Sequence, residues 1–366
     1  MKVACYAPWP PAPTGVADYA ASLLAALRRL GRVEPDARDA DVALYHLGNN
    51  QLHRGIYERA LAEPGVVVLH DAVLHHFFLG ALDRAAYIDE FVYNYGEWTR
   101  PLAAELWRKR AGSASGSRYF DYPMLKRIAE RSRAVVVHNP AAARMVRDHC
   151  PTAAVVEIPH LFAAPEPPAD WEVTKMRRRL AVSPLGFLFG VFGYLRESKR
   201  LFAILRAFAR LHPVRPDARL LIAGSFVSAD LARAVAPLLR APGIVRLPFL
   251  PERDFWRAAR AVDACINLRS PAAGETSGIG IRLMGAGKPV LLTAAEENSR
   301  YPHTACLRIE PGLAEDDSLL YHMLLLTSIK ECAGEIGLRG SGYIAQHHQA
   351  ARIAEQYWKT LCAYRR

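Results

Sequence analysis

The chain has 366 residues, of which 51% are hydrophobic and 23% charged, and its formal net charge is +11. This length exceeds that at which one hydrophobic core usually stops growing, so two domains are expected, and no apolar run reaches the roughly 18–20 residues of a membrane span. The charge indicates an anionic partner, such as a phosphorylated substrate or an anionic membrane surface, while the lack of repeats and zinc-finger spacings argues against nucleic acid. The six cysteines form no CxxC pair and the first residues do not resemble a signal peptide, so we expect a cytoplasmic protein with reduced thiols.

Apolar strands alternate with helices through the first half of the chain. Short apolar runs predict strands over 2–7, 41–48, 66–71, 133–140 and 154–162. A helix is expected over 16–30, capped by Thr14 or Asp18, so Gly15 lies where the first strand meets the first helix. No GxGxxG is present there, which argues against a nicotinamide dehydrogenase. The repeated strand and helix predict a parallel, doubly wound sheet.

Polar side chains stand at or just beyond several of these strand ends. They are Asn49, His70, Asp71, His75, His138, Asn139 and His160. Ligands of open α/β sheets bind at the carboxyl ends of the strands, so we expect these residues to face a ligand. A single histidine at such a place is more often structural. Here His70 and Asp71 are followed closely by His75 and His76, and this density favours a ligand-binding role.

The region 77–131 is expected to be helical, with aromatic residues and arginines alternating and a flexible break at GSASGS. Such a surface could face lipid or an acceptor, or its aromatic side chains could belong to ordinary helix packing. The sequence leaves both interpretations open.

Prolines and charged residues cluster over 164–184, which we interpret as a linker between an N-terminal domain, 1–163, and a C-terminal domain, 185–343. The second domain repeats the alternation, with strands expected over 187–195, 218–225, 244–251, 263–271 and 290–293. An amphipathic helix is expected over 344–363.

The stretch 274–290 fits a phosphate-bearing ligand. Glycines, Thr276 and Ser277 surround Glu275 and lead into a helix, whose first amides lack internal partners and carry partial positive charge. Phosphate binds at such amides, and Glu275 can accept hydrogen bonds from hydroxyls. A capped surface helix is the alternative interpretation of the same residues.

A second candidate for a phosphate site is FGYLRESKR, in which Gly193, Arg196 and Lys199 precede another helix. Cations there suit a diphosphate, whose negative charge they would stabilise as it departs. A solvated basic helix start is the alternative, but positive charge at that end of a helix is unfavourable for the helix dipole.

These segments together resemble the retaining family 4 type of GT-B-fold glycosyltransferases. The resemblance rests on PxPTGVADY, LHDAVLHHFF, VVVHN, IPH, FGYLRESKR, LLIAGS, VDACINLRSPAAGETSG and MGAGKPV, which follow the order of the family over nearly the whole chain. It implies an α/β fold with two Rossmann-like domains whose parallel sheets face each other across a cleft, with the final helix bracing the first domain. It also implies transfer of a sugar from a nucleotide-sugar donor to a hydroxyl acceptor, with retention and without a metal or other cofactor.

The resemblance assigns roles to particular residues. Lys199 matches the lysine that binds the diphosphate, Glu275 the acidic residue that contacts the sugar, and His70 a residue beside the reacting centre. The full donor set is Gly15, Val16, Gly193, Arg196, Lys199, Glu275, Thr276, Ser277, Gly278 and Arg282. The catalytic set is His70, Asp71, Lys199 and Glu275, and the acceptor-side set is Asn49, His75, His138, Asn139 and His160.

Two positions depart from the family pattern and leave the donor open. Tyr194 stands where an arginine usually follows the glycine, and Arg282 stands where a second glutamate normally binds the ribose. Two other functions therefore remain for the same residues. One is a GT-B-fold epimerase or phosphorylase, and the other is a non-catalytic protein that binds a nucleotide sugar or a polyanion. For the transferase, we expect a sugar, a lipid-linked molecule or a small molecule as the acceptor, and any contact with an anionic membrane is peripheral.

Overall fold

The computed structural model describes residues 1–365, and the chain divides into two compact units. Unit 1 contains Met1–Ala163, Pro271–Thr276 and the chain from His347 onward. Unit 2 contains Ala164–Ser270 and Ser277–Gln346. Each unit has its own six-stranded sheet, all of whose strand pairs are parallel.

The sheet of unit 1 has the order β2-β1-β3-β4-β5-β6. Its strands are β1 (Lys2–Tyr6), β2 (Arg32–Pro35), β3 (Val42–Leu47), β4 (Val66–Leu69), β5 (Ala134–Val137) and β6 (Val155–Glu157). The central strands read VVVL and AVVV and are fully buried, since helices cover both faces of a parallel sheet. The edge strand β2 reads RVEP and was not expected from the sequence, because Val33 is its one buried side chain.

The helices of unit 1 before its last segment are α1 (Gly15–Leu27), α2 (Arg54–Ala62), α3 (His75–Ala81), α4 (Arg84–Tyr95), α5 (Arg100–Arg108), α6 (Lys126–Arg131) and α7 (Pro140–His149). Thr14 caps α1 by accepting a hydrogen bond from the amide of Val16. In the helical region over 77–131, Tyr87 and Phe91 are fully buried, while Trp98 is 81% exposed. Five aromatic residues of this region, Phe77, Phe78, Tyr87, Phe91 and Tyr119, belong to its buried core.

The sheet of unit 2 has the order β12-β11-β10-β7-β8-β9. Its strands are β7 (Leu188–Phe192), β8 (Arg219–Ala223), β9 (Ile244–Leu247), β10 (Ala264–Asn267), β11 (Val290–Thr293) and β12 (Leu307–Ile309). Numbered within the unit, this is the 3-2-1-4-5-6 order of dinucleotide-binding sheets, and the chain changes direction of winding between β7 and β10. Ligands bind beside the carboxyl ends of the strands at such a switch point.

The helices of unit 2 are α8 (Asp170–Arg179), α9 (Leu201–Leu211), α10 (Ala229–Val235), α11 (Glu252–Ala261), α12 (Gly278–Gly285), α13 (Glu315–Ser328) and α14 (Lys330–His347), whose last residue falls in unit 1. Helix α8 lies inside the segment that the sequence indicated as a linker. Its buried Glu172 accepts a hydrogen bond of 2.9 Å from Arg257 of α11, which ties the two helices together.

The last helix, α15 (Ala350–Ala363), packs against α1 in unit 1. The sequence predicted one helix over 344–363, but α14 ends at His347 because the next residues pair with another segment. Phe162 donates its amide to the carbonyl of His348 and forms a β-bridge with Gln349. Between α1 and α15, the buried hydroxyls of Tyr19 and Tyr357 lie 2.9 Å apart. None of the helices in residues 1–365 is both long and apolar enough to cross a membrane.

We predict that the Tyr19–Tyr357 hydrogen bond couples α15 to α1. Tyr19→Phe or Tyr357→Phe alone leaves a buried hydroxyl without its partner and should lower the free energy of unfolding of unit 1 by about 1–3 kcal/mol. The double variant removes both hydroxyls and should lose less than the sum of the single changes. Urea denaturation followed by circular dichroism measures all four proteins, and strictly additive losses would contradict the coupling.

Candidate functional site

In unit 2, Lys199 lies beside the switch point of the sheet. It ends a short 3-10 turn, Glu197–Lys199, and donates to the carbonyl oxygen of Phe192, the last residue of β7. The next residue, Gly193, has a φ of 87°, and a Cβ there would lie 3.5 Å from Nζ of Lys199. Lys199 is only 4% exposed, so the fold brings a cation to the strand end with its side chain almost wholly buried.

An ion pair between the half-buried Arg200 and the buried Glu315 fixes the turn that carries Lys199. Arg200 has a left-handed φ of 57°, and its guanidinium binds one carboxylate oxygen of Glu315 at 2.5 and 2.8 Å. Glu315 is 1% exposed at the start of α13. Breaking such a pair leaves an uncompensated buried charge, so the contact holds the left-handed residue in place.

The start of α12 lies in the same part of unit 2. Ser277 caps the helix, accepting from the amide of Gly280 at 3.2 Å and from Nδ2 of Asn267 at 2.7 Å. The first turn contains no acidic residue, so the amide of Gly278 and the helix dipole favour an anionic ligand. The sequence interpretation missed Asn267, although an asparagine that closes the apolar strand ACIN was a usable signal.

The remaining cations assigned to the donor differ in their surroundings. Arg196 is exposed beside the 3-10 turn. Arg282 donates to Glu252 and stacks over the rings of Phe255 and Trp256, with its Cζ at 4.0 and 4.7 Å from their centroids. The guanidinium of Arg282 is thus held on the surface of α11.

In unit 1, Gly15 and Val16 begin α1, next to the switch point between β1 and β3. Val16 is buried, and its side chain approaches Gly48 at the end of β3. A Cβ added to Gly15 would meet no atom within 4 Å. The packing of the described chain therefore leaves room for a side chain where the sequence has glycine.

The strand-end histidines of unit 1 form one cluster around Tyr19, in which His46, His70 and His138 are buried. The ring centroids of His46, His70, His138 and His160 lie 4.6–5.9 Å from that of Tyr19. Nδ1 of His46 lies 3.0 Å from Nε2 of His70. Burial lowers the pKa of His46 to about 3 and that of His138 to about 4, and it holds the pKa of His70 well below its usual range. His46, His70 and His138 are therefore uncharged at neutral pH.

Other predicted site residues of unit 1 hold its loops together. Asp71 accepts from the amide of Asn49 at 2.8 Å, and Asn49 in turn accepts from the amide of Phe77 at 2.8 Å. His75 points into the helical region, where its Nε2 lies 2.8 Å from the hydroxyl of Tyr87. Burial lowers the pKa of His75 to about 3. The structure thus gives Asn49 and His75 internal partners apart from the cluster around Tyr19.

The segment Pro271–Thr276 is held by residues of unit 1, whereas the sequence interpretation placed it in the second domain. Nδ2 of Asn139 donates to the carbonyl of Gly274 at 2.9 Å and to the hydroxyl of Thr276 at 3.0 Å. Ala72 donates its amide to the carbonyl of Ala273 at 2.8 Å. The carboxylate of Glu275 accepts from the amide of Ala273 at 2.6 Å, so this loop has a defined shape.

Comparisons with known proteins identify the fold. No protein-family model and no curated protein matches the sequence. Among solved structures, Anabaena Alr3699/HepE in complex with UDP-glucose is 14% identical, with a TM-score of 0.67 over 99% of this chain and 100% of that one. Sucrose-phosphate synthase (tll1590) from Thermosynechococcus elongatus is 14% identical, with a TM-score of 0.66 over 99% and 100%. WaaG, a glycosyltransferase involved in lipopolysaccharide biosynthesis, is 10% identical, with a TM-score of 0.64 over 99% of each chain.

The chain has an α/β fold of two Rossmann-like parallel sheets. It is the GT-B fold of glycosyltransferases, as the sequence predicted.

We predict that Asn139→Asp loosens the loop Pro271–Thr276 without unfolding unit 1. Aspartate keeps the acceptor that caps α7 at the amide of Ala142 but removes both hydrogen bonds donated to the loop. Loss of these bonds, at about 1.4 kcal/mol in all, should make the loop amides exchange with deuterium about tenfold faster.

Asn50→Asp is the matched control, because Asn50 caps a short turn through its acceptor, at the amide of Leu52. It should leave exchange in the loop unchanged. Unaltered exchange in Asn139→Asp would show that other contacts fix the loop.

We predict that unit 1 loses stability in mild acid. His46, His53, His75 and His138 have pKa values lowered to about 3–4 by burial, whereas an unfolded histidine titrates near pH 6.5. Below about pH 6.5 the unfolded chain binds protons that the folded chain does not. The contribution of these histidines to the free energy of unfolding is therefore fully present above that pH and falls progressively toward pH 4. Each group contributes a slope of about 1.4 kcal/mol per pH unit. Urea midpoints measured at about pH 7 and about pH 5.5 test this, and equal midpoints would contradict it.

Proposed function

We propose that this protein is a retaining glycosyltransferase that moves a sugar from a nucleotide-sugar donor to a hydroxyl acceptor. The observation that carries the proposal is the pairing, at one switch point, of the buried cation Lys199 with the capped start of α12: a Cβ at Gly193 would lie 3.5 Å from Nζ of Lys199 and 3.6 Å from Cγ1 of Ile279 in α12. Two phosphates need both positive charge and amide donors, and these two elements supply them.

The solved structures support the choice of donor class. Alr3699/HepE, which shares the fold over 99% of this chain, is described in complex with UDP, with UDP and glucose, and with UDP-glucose. We therefore assign the diphosphate of the donor to unit 2, with Lys199, Arg196 and the amides of Ser277 and Gly278 toward it. Glu275 and Thr276, in the adjoining loop 271–276, would contact the sugar.

Unit 1 would bind the acceptor. The packing of the protein itself does not require a glycine at position 15, because a Cβ there would meet no atom within 4 Å. A glycine at such a position is expected where a ligand approaches the backbone closely. His70 and Asp71 stand beyond β4 and Val16 stands at the start of α1, at the strand ends where ligands of such sheets bind. His138 and His160 belong to the same cluster and would shape the acceptor side.

In the proposed reaction the bond between the anomeric carbon and the diphosphate oxygen breaks. The acceptor oxygen bonds to the same face of that carbon, and the departing phosphate takes the acceptor proton. The transition state is oxocarbenium-like, with negative charge growing on the leaving diphosphate. Lys199 and the amides at the start of α12 would stabilise that charge, so no metal is required. We place the reaction in the cytoplasm, where a lipid-linked acceptor would require only peripheral membrane contact.

We predict that Lys199→Ala lowers the rate of sugar transfer by on the order of 10²-fold, because the leaving diphosphate loses its cation. Glu275→Gln should also lower the rate, since the amide replaces one acceptor oxygen toward the sugar hydroxyls. The control is Lys175→Ala, which removes an exposed lysine from α8 and should leave transfer unchanged. Full turnover in both site variants would refute the assignment.

The assay uses a panel of nucleotide sugars that includes UDP-glucose, first in thermal-shift measurements and then with candidate acceptors. A donor that binds the folded protein raises its melting temperature by mass action. Mass spectrometry then identifies the products. A glycosylated acceptor supports the proposal, a sugar isomerised without an acceptor indicates an epimerase, and binding without turnover indicates a non-catalytic protein.

A further inference from the structure

His46 and His70 are joined ring to ring at the ends of the neighbouring strands β3 and β4. The shared hydrogen bond is 3.0 Å long, and the two rings are stacked with 20° between their planes. His46 has an exposed fraction of 0% and His70 one of 9%, so His70 is the more accessible member of the pair. Only one of the two nitrogens carries the shared proton, and the tautomer of one ring therefore determines that of the other.

Two arrangements of that proton are possible in the uncharged pair. In the first, His46 Nδ1–H donates to Nε2 of His70, and the far nitrogen of His46, Nε2, is bare. In the second, His70 donates and His46 carries its proton on Nε2. That Nε2 is buried without a hydrogen-bond partner in the described chain, so the second arrangement leaves an unsatisfied donor in the interior, which is unfavourable.

Two neighbouring histidines show which arrangement this environment holds. Nδ1 of His53 lies 3.0 Å from the carbonyl of His46, and Nδ1 of His138 lies 2.9 Å from the carbonyl of Ile158. A carbonyl only accepts, so both rings carry their proton on Nδ1 and have a bare Nε2. Both of these Nε2 atoms are also buried without a partner in residues 1–365. The first arrangement gives His46 the same state as these two rings.

We infer that His46 is a positioning residue that fixes His70 as the Nδ1–H tautomer. Nε2 of His70 is occupied as the acceptor of the bond from His46, so the proton of the neutral ring stands on Nδ1. His70 then offers a hydrogen-bond donor to its ligand and no free basic nitrogen. Its partner would be an oxygen atom, a sugar hydroxyl or a phosphate oxygen. The catalytic meaning of this inference rests on the proposed function, whereas the tautomer itself does not.

The tautomer of His70 is measured by long-range ¹H–¹⁵N correlation spectra of the full protein with ring-¹⁵N-labelled histidine. The His70 signals are assigned by their loss in His70→Gln. We expect the directly protonated nitrogen of both His46 and His70 to be Nδ1. A proton on Nε2 of His70 would overturn the inference, whatever the activity of the protein. The tautomer is read from the unaltered protein, with His70→Gln used only for assignment, so the spectrum decides the question even if a His46 variant fails to fold.

A pair of variants tests the positioning role. In His46→Asn the side-chain amide can occupy the place of Nδ1 and still donate to His70, whereas His46→Leu removes the donor. We expect His46→Leu to lose about tenfold in kcat with little change in KM for the donor, and to mix the tautomers of His70. His46→Asn should stay within about threefold of the unaltered protein and keep the Nδ1–H tautomer. The control, His149→Leu, removes a half-buried imidazole from α7 and should change neither measurement.

The outcomes separate this inference from the proposed function. Equal losses in His46→Asn and His46→Leu would show that His46 only fills space, and would overturn the positioning role. A protein that transfers no sugar from any donor but shows His70 with its proton on Nδ1 would refute the proposed function and leave the tautomer supported. Sugar transfer by a protein whose His70 carries its proton on Nε2 would support the proposed function and overturn the inference about the tautomer.

Discussion

A polar side chain buried beside the end of a parallel strand must find its hydrogen-bond partner inside the protein, because water does not reach it. This constraint organises both units. Lys199 meets the carbonyl that closes β7, and Asn267 meets the cap of α12. Asn139 caps one helix with its oxygen and holds the loop around Gly274 with its nitrogen. Each contact provides a buried polar group with a hydrogen-bond partner. It also fixes a loop beside the carboxyl ends of the strands, where a ligand can bind.

The sequence predicted the central strands because their signal is local. Runs of valine and leucine with turns on both sides have few alternatives to a buried parallel strand. The edge strands β2 and β12 are three or four residues long and carry arginine, so periodicity did not reveal them. The break between α14 and α15 depends on Phe162, which lies far away in the chain. A local sequence pattern contains no information about a partner so distant in the chain.

Some residues of the candidate site could also be predicted from the sequence, whereas others could not. Lys199 and Ser277 could be found from the sequence because each stands beside a predicted helix start. The histidine cluster could not, since it requires the strand order that brings β3 beside β4. The environment of Arg282 could not be predicted from the sequence either, because the side chains that hold it, Glu252 and Phe255, both come from α11. Residue type indicated the chemistry, and the topology decided which residues meet.

Unit 1 is assembled from three separate stretches of chain, and this affects any attempt to divide the protein into halves. A polypeptide that stopped at Ala163 would lack α15, whose Tyr357 and Leu361 cover α1 in the hydrophobic core. The surface of α1 that α15 covers, including the buried Tyr19, would then face water, and such a fragment is expected to aggregate. Circular permutation or co-expression of complementary fragments is therefore a sounder way to divide this fold than simple truncation.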